Sequence, residues 1–211
     1  MYRPPHFDIP EPTELHALVS AARIAHLVTS GPDGLDSSVL PLLLDLSVGE
    51  HGSLIGHWAR ANPQWQPADG AQALAIFALP DAYVSPSALA TKAETGKVVP
   101  TWNYTVVHAH GVLRVHEDDE WLDAMVRRLT DHHEAGRPEP WSVGDAPADY
   151  IAASLHRIVG LELEITRLEG KAKLSQNRSA ADVAGVVADL RAGTADDQAV
   201  AAEMQRLAMP G

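Results

Sequence analysis

The stretch IAHLVTSGPDGLDSSVLPLLLDLSVGEHGSLIGHWA, residues 24–59, contains three apolar or alternating segments separated by two strong turn signals. The segments are residues 24–30, 37–46 and 53–59, and the turns are Gly31-Pro32-Asp33-Gly34 and Gly49-Glu50-His51-Gly52. Strands joined by turns this short must be antiparallel, because a parallel return needs a crossover of about a dozen residues or more. The stretch therefore predicts an antiparallel meander or barrel rather than a doubly wound sheet.

The rest of the chain adds strands and helices to this beginning. Strands are predicted at residues 73–79, 101–116 and 161–168, and helices at 117–135 and 147–158, with shorter helices after the caps Thr13 and Asn62. Residues 1–12 are rich in proline and predict an extended arm, while two further helices begin at Ser179 and Thr194. We therefore predict an α+β, mainly β fold. One domain covers residues 1–177, including a helical insertion at about 117–158, and a helical tail covers residues 178–211.

The composition limits the class of protein. The 211 residues are 45% hydrophobic and 21% charged, as in an ordinary globular chain. The absence of cysteine excludes disulfides, thiolate metal sites and iron–sulfur clusters. A formal net charge of −12 opposes close approach to a polyphosphate. No apolar run is long enough to cross a membrane, and the start of the chain lacks the apolar stretch of a signal peptide, so we expect a cytoplasmic location.

Histidine pairs are the first candidates for chemistry, since the sequence has no G-x-G-x-x-G, P-loop, H-E-x-x-H or G-x-S-x-G motif. His108 and His110 share one face of a predicted strand, but no third ligand stands at a suitable spacing. A polar strand face is therefore favoured over a metal site. His132 and His133 are interpreted as capping a helix end, where cations are favourable. No metal site is predicted.

Three tracts gather cationic, polar and aromatic side chains where predicted elements begin or end. Residues 56–63 end a strand with His57 and Arg60, directly before a helix start that could bind an anion. Residues 96–104 open the long strand. In residues 171–177, Lys171 and Lys173 share a face if the strand continues, and a hydroxyl and two amides follow. This donor set suits a phosphate or the edge of a heterocycle, so the tracts together predict a ligand pocket.

Six motifs occur in order along the chain: MYRPPHF, GHWARANPQW, DAYVSPS, GKVVPTWNYTVVHAHG, RLTDHHEAGRPEPW and KLSQN. With them, residues 1 to about 190 resemble the PaiB-type FMN-binding negative transcriptional regulator family. The resemblance implies a flavin-binding split barrel, which is a six-stranded antiparallel Greek-key barrel similar to that of pyridoxamine phosphate oxidases, with peripheral helices. It also implies a homodimer with two cofactor sites at the subunit interface.

The resemblance further implies a set of FMN-binding residues. By similarity, the phosphate and ribityl side is held by His57, Arg60 and Asn62. The ring pocket is lined by Thr101, Trp102, Asn103 and Tyr104, and it is closed by Lys173, Ser175, Gln176 and Asn177. The chain departs from the family pattern at Val39, Ala88, Leu89 and Ala172, where polar or bulky groups are usual, and this enlarges the expected pocket.

The resulting functional hypothesis is an FMN-binding regulatory or sensor protein acting in negative control of transcription. The alternative is a cofactor-dependent enzyme on the same scaffold, either a flavin reductase or oxidase, or a relative of the haem-dependent piperazate synthases that form an N–N bond. With haem, His57 would be the axial ligand. Direct DNA binding is disfavoured, because acidic residues outnumber arginines after residue 178.

Overall fold

The computed structural model describes residues 1–208, which form eight strands and six α-helices. The strands are β1 (Asp8–Ile9), β2 (Ala25–Gly31), β3 (Gly34–Leu40), β4 (Leu43–Asp45), β5 (Ser53–Ala59), β6 (Gln72–Val84), β7 (Thr101–His116) and β8 (Ile158–Lys173). The helices are α1 (Pro12–Ala21), α2 (Ala90–Thr95), α3 (Asp119–Glu134), α4 (Ala148–Leu155), α5 (Ala180–Arg191) and α6 (Ala195–Ala208). Short 3-10 turns cover Pro5–Phe7, Pro63–Trp65, Pro86–Ala88 and Val143–Asp145. The last three residues of the predicted tail lie outside the described residues.

The strands follow the order β3-β2-β6-β7-β8-β5-β4, and β1 pairs with β8. The pairing of β2 with β3 is antiparallel, with Gly31 opposite Gly34, so Pro32 and Asp33 form a two-residue hairpin turn. Gly34 has a φ of +111°, which a residue with a side chain rarely adopts. The antiparallel arrangement predicted from residues 24–59 is confirmed.

The predicted count of six strands is wrong, for two local reasons. The segment 37–46 divides at Pro41, which has no N–H to donate to a ladder, so that β3 ends at Leu40 and β4 begins at Leu43. The predicted extended arm contains a 3-10 turn and the two-residue strand β1, whose Asp8 pairs with Lys171. This pairing continues β8 beyond its predicted end at residue 168.

The chain forms two compact units that are interleaved in sequence. The central unit comprises Pro12–Phe77 and His108–Leu168. The terminal unit comprises Met1–Glu11, Ala78–Val107 and the chain from Glu169 onward. The two helices of the predicted tail are part of the terminal unit. The domain boundary placed at residue 177 stays a prediction.

The core of the central unit includes the apolar stripe that the sequence predicts on α3. Leu122, Met125 and Leu129 are buried there with Ile55 of β5 and Leu155 of α4. The helix begins at the cap Asp118, whose carboxylate accepts a hydrogen bond from the Trp121 N–H at 2.8 Å. The apolar spacing of this helix is therefore confirmed.

In the terminal unit, α5 and α6 follow the predicted cap residues. Ser179 accepts a hydrogen bond from the Asp182 N–H, and Thr194 and Asp197 cap α6 reciprocally. The Asp182 carboxylate also accepts hydrogen bonds from the backbone and hydroxyl of Thr91, in the first turn of the unpredicted helix α2. A Cβ at Gly185 would lie 2.1 Å from the Ala88 carbonyl oxygen, so glycine permits this close packing. Within residues 1–208, no helix is both long and apolar enough to span a bilayer.

Candidate functional site

Lys171, near the end of β8, presents an almost buried ammonium group in the terminal unit. The residue is 9% exposed, and its Nζ lies 5.3 Å from the centroid of the Tyr104 ring and 5.6 Å from that of Tyr2. Both rings offer their electron-rich faces to the cation. Within residues 1–208, Lys171 makes no side-chain hydrogen bond or ion pair. A positive charge at this depth usually has an anionic partner, so this group is suited to receive one from a ligand.

Lys173 extends the same cationic face, as the sequence predicts for two residues of equal parity. Its Nζ lies 5.9 Å from the Tyr104 ring centroid, and it donates to Thr101 Oγ1 at 2.6 Å and to the Trp102 carbonyl. Burial lowers the pKa of Lys173, and the nearby charges of Lys171 and Arg178 lower it further. An anion bound here would favour the protonated ammonium. We name Lys171, Lys173, Tyr104, Thr101 and Trp102 the cationic cluster.

The N-terminal arm holds Tyr2 beside this cluster. The amino group of Met1 lies 3.0 Å from Glu169 Oε2, and Arg3 lies 3.7 Å from the other carboxylate oxygen of Glu169. Arg3 also donates to Asp8 at 2.6 Å. These ion pairs satisfy the carboxylate of Glu169, which is buried two residues before Lys171 in β8.

Asn103, Ser175 and Gln176 form the framework behind the cluster. The fully buried Asn103 accepts a hydrogen bond from the Ser175 hydroxyl at 3.1 Å and directs its Nδ2 to Met204 Sδ at 3.3 Å. Gln176 closes its own turn, accepting from the Leu174 N–H at 2.7 Å and donating to the Ala172 carbonyl at 2.6 Å. The polar groups of these residues are thus largely engaged within the chain. Asn177 is exposed.

An exposed aromatic pair adjoins the cluster through Trp102. The rings of Tyr83 and Trp102 meet edge to face with centroids 5.7 Å apart, and about half of each residue remains accessible. Exposed aromatic faces of this size can stack against a planar heterocycle. Of the positions where the chain departs from the family pattern, Ala88 packs against Gly185 of α5, and Leu89 and Ala172 are buried.

His57, in the central unit, keeps an unsatisfied nitrogen. It lies in β5 opposite Gly160 of β8, and its Nδ1 is buried without a hydrogen-bond partner among residues 1–208. Burial lowers the pKa of His57 more than a hydrogen bond with the Trp58 backbone raises it, so the neutral imidazole is favoured. A neutral ring with a free nitrogen is a ligand or hydrogen-bonding group rather than a charge for a phosphate.

Arg60 uses its guanidinium group inside the central unit. Nε donates to the His156 carbonyl at 2.9 Å, one terminal nitrogen donates to the Ile158 carbonyl at 3.0 Å, and the other donates to Glu117 at 2.6 Å. The group also lies 6.0 Å from the Trp65 ring centroid. These contacts bind the end of β5 to the start of β8. The structure gives Arg60 a stabilising role, and its predicted contact with a phosphate stays a prediction.

Asn62 acts as the predicted cap, although the helix is only the three-residue 3-10 turn Pro63–Trp65. Its Oδ1 accepts from the Gln64 N–H at 3.0 Å, and its Nδ2 donates to Ser38 Oγ at 2.8 Å. We expected free N–H groups at a helix start to form an anion site here. They do not, because the turn is too short and the Gln64 N–H is already bonded to Asn62.

The histidine pairs follow their predicted placement. The rings of His108 and His110 lie on one face of β7 with centroids 6.1 Å apart, and both residues are half-buried. His132 and His133 stand in the last turn of α3.

Sequence comparison places the chain among known proteins. A family model described as "Putative FMN-binding domain" matches residues 1–167. The chain belongs to this FMN-binding family. An uncharacterized protein of Aspergillus fumigatus is 35% identical over 195 residues, covering 72% of this chain and 75% of that protein. Protease synthase and sporulation protein PAI 2 of Bacillus subtilis is 29% identical over 192 residues, covering 90% of this chain and 89% of that protein. The resemblance read from the six motifs is confirmed.

Solved structures agree with the fold of this family member. The FAD and haem binding protein of Mycobacterium smegmatis superimposes with a TM-score of 0.59 at 16% identity, covering 84% of this chain and 78% of that chain. The flavocytochrome Anf3 of Azotobacter vinelandii superimposes with a TM-score of 0.57 at 15% identity, covering 79% of this chain and 69% of that chain. Identities this low concern the fold alone, and they confirm the flavin-binding split barrel.

The donor set of the terminal unit fits a flavin nucleotide. Two ammonium groups can neutralise a phosphate, and the Trp102 and Tyr83 rings offer planar apolar surface. Sequence reasoning named Lys173, Thr101, Trp102 and Tyr104, and the structure brings these four together. It placed Lys171 in one of the ligand tracts without assigning it to the cofactor, and it did not name Tyr2 or Tyr83 as candidates. The equal parity of Lys171 and Lys173 was the one available signal, because the positions of the two tyrosines depend on distant pairing.

Proposed function

We propose that this protein binds FMN and acts as a regulatory or sensor protein in negative control of transcription. The observation that carries the FMN assignment is the nearly buried Lys171 ammonium, which has two aromatic rings but no acidic partner among residues 1–208. The family match and the relative named for protease synthesis and sporulation support the regulatory part. When bound, the flavin ring would supply one- and two-electron redox chemistry.

The cationic cluster meets the main electrostatic demand of this ligand. The FMN phosphate carries close to two negative charges at neutral pH and must bind to a chain of net charge −12. Lys171 and Lys173 supply two positive charges on one strand face, and the Glu169 carboxylate two residues earlier in β8 is paired with Met1 and Arg3 of the N-terminal arm. We assign phosphate binding to these lysines and ring contact to Trp102 and Tyr83.

Fluorescence titration with FMN and riboflavin tests the assignment. Lys171→Gln should weaken FMN binding by a factor on the order of 10–1000, because a desolvated charge-assisted contact is lost. Riboflavin lacks the phosphate, so its affinity should change little. Lys92→Gln is the matched control, since Lys92 is an exposed residue of α2 bonded only to Ser87. Equal losses for both ligands, or no flavin binding at all, would contradict the proposal.

Haem is the second candidate cofactor, and the surroundings of His57 favour it. Its buried, unpartnered Nδ1 and lowered pKa suit an axial nitrogen ligand. An enzyme of this kind, or a flavin reductase or oxidase, would take its chemistry from the cofactor. The absorption spectrum of the purified protein separates the cases, because flavin gives two broad bands and haem one sharp Soret band. His57→Ala should abolish a Soret band and leave flavin bands in place.

A regulatory role would operate without direct DNA reading. Acidic residues outnumber basic ones on the accessible or partly accessible positions of α5 and α6, which are Asp189, Asp196, Asp197 and Glu203 against Arg191 and Arg206. A recognition helix needs a basic face, so we propose a small-molecule or protein partner and a cytoplasmic location. Salt-sensitive binding to one promoter fragment that is lost when its sequence is scrambled would overturn this part of the proposal.

A further inference from the structure

A groove of about 660 Å³ lies between α5, α6 and the turn that follows β8. Its apolar lining includes Leu174, Val183, Val187, Met204 and Leu207. The volume is within the range of small-molecule sites, which is about 300–1000 Å³. The groove adjoins the framework behind the cationic cluster through Gln176, but none of the five cluster residues lines it, so it is a second candidate site within the terminal unit.

The charged residues of the groove are both arginines. Arg178 and Arg191 line it, and no acidic residue does. Among residues 1–208, the Arg178 side chain makes no hydrogen bond or ion pair, while Arg191 donates one terminal nitrogen to Gln205 at 2.7 Å. The neighbouring Asp182 carboxylate accepts two hydrogen bonds from Thr91, and the charge of Arg178 stabilises it at longer range without forming an ion pair. Although the chain has a net charge of −12, the two guanidinium groups make this groove locally positive beside its apolar side chains.

We propose that this groove binds an amphipathic monocarboxylate, such as a medium-chain aliphatic acid. The carboxylate would bind the guanidinium groups of Arg178 and Arg191, since a planar guanidinium matches a carboxylate in a two-point contact. The aliphatic chain would cover the valine, leucine and methionine side chains of the floor. Charge complementarity selects an acid over a neutral lipid, and the limited volume selects a small molecule over a peptide helix.

Isothermal titration calorimetry with octanoate, decanoate and 1-decanol tests this proposal on the full chain. Decanoate should bind about 15-fold more tightly than octanoate, because each buried methylene contributes a factor of about 4. 1-Decanol keeps the apolar chain without the charge, so it should bind more weakly than decanoate. Equal affinity for the alcohol and the acid would overturn the assignment of an acid.

Charge-neutral variants locate the site. Arg178→Gln and Arg191→Gln should each weaken decanoate binding by about tenfold or more, the effect of a lost charge-assisted contact. Arg206→Gln on α6 is the matched control, since Arg206 lies outside the groove and contacts Glu203. Thermal melting verifies that each variant folds. Absence of any binding at millimolar decanoate, or wild-type affinity in both groove variants, would refute the proposal.

Discussion

The Ser175 hydroxyl donates to Asn103 Oδ1 at 3.1 Å while the backbone of Ser175 is held at a φ of +67°. Among residues 1–208, it is the one non-glycine residue with a positive φ. The hydrogen bond joins β7 to the turn after β8. It forms only while Ser175 adopts a left-handed backbone conformation, which is unfavourable for a residue with a side chain.

This relationship predicts an order among substitutions at position 175. Ser175→Ala should lower the free energy of unfolding by about 1–3 kcal/mol, because the buried Asn103 oxygen loses its donor. Ser175→Gly loses the same bond but relieves the strained backbone, so it should be about 1 kcal/mol more stable than the alanine variant. Urea denaturation measures both values. A glycine variant less stable than the alanine variant would show that the strain is unimportant.

The lowered pKa of Lys173 leads us to expect that FMN binding depends on pH. Its pKa is lowered below the ordinary lysine value of 10.5, and phosphate binding favours the charged form. Affinity should therefore be full below the lowered pKa and decline as the pH rises through it, by at most about tenfold per unit. Lys173→Gln should flatten the profile, whereas Lys173→Arg should preserve affinity at high pH. A wild-type profile that stays flat up to the ordinary lysine value would contradict the assignment.

Arg60→Ala should act on stability more than on cofactor binding. The substitution removes three hydrogen bonds, two of them solvent-exposed, at a cost of about 1 kcal/mol. FMN affinity, measured on the folded variant, should fall less than in Lys171→Gln. If Arg60→Ala proved the more damaging change for FMN, the original phosphate assignment of this arginine would be restored.

Asp45 predicts an acid-sensitive contribution to stability. Hydrogen bonds from Ser47, together with the nearby Arg128, lower the pKa of Asp45 from 3.8 to about 2. The folded state thus favours the ionised carboxylate, so this stabilisation is present above 3.8 and is lost as the pH falls towards 2. The melting temperature of the wild type should be higher than that of Asp45→Asn at neutral pH. The two melting temperatures should converge as the pH falls towards 2.

A matched control separates this effect from general acid denaturation. Asp123 forms an exposed i,i+4 pair with Arg127, and such pairs contribute little. Asp123→Asn should therefore follow the wild-type curve throughout. A constant difference between wild type and Asp45→Asn across the acid range would contradict the role given to Asp45.

We also expect a two-fold homodimer. Isologous contacts are the commonest closed assemblies, and the family resemblance implies cofactor sites at a subunit interface. Strand β3 lies at one edge of the sheet order and exposes Leu35 and Val39, which gives an apolar edge to cover. Sedimentation at micromolar concentration should give a dimer, and a monomer would contradict the expectation.

The features that the sequence determined by itself are local in the chain. The Gly31-Pro32-Asp33-Gly34 turn sets the β2 and β3 hairpin through backbone conformations available to those residues. Asn62 and Ser179 are caps because a short polar side chain can reach an N–H two or three residues ahead. The apolar stripe of α3 likewise follows from its own spacing. Each of these predictions depends on neighbours within a few residues.

Tertiary structure alone decided which candidate groups are engaged and which are available. Arg60 is held by the carbonyls of His156 and Ile158, which lie 96 and 98 positions away, and no local pattern encodes that pairing. Helix α2 was missed for the same reason, since its Thr91 is held by Asp182 across 91 positions. The sequence placed Lys171 in a polar tract, but its position beside the Tyr2 ring depends on the pairing of β8 with Asp8 of β1. Charge, burial and partner are properties of the assembled surroundings, and residues distant in sequence supply them only after the chain has folded.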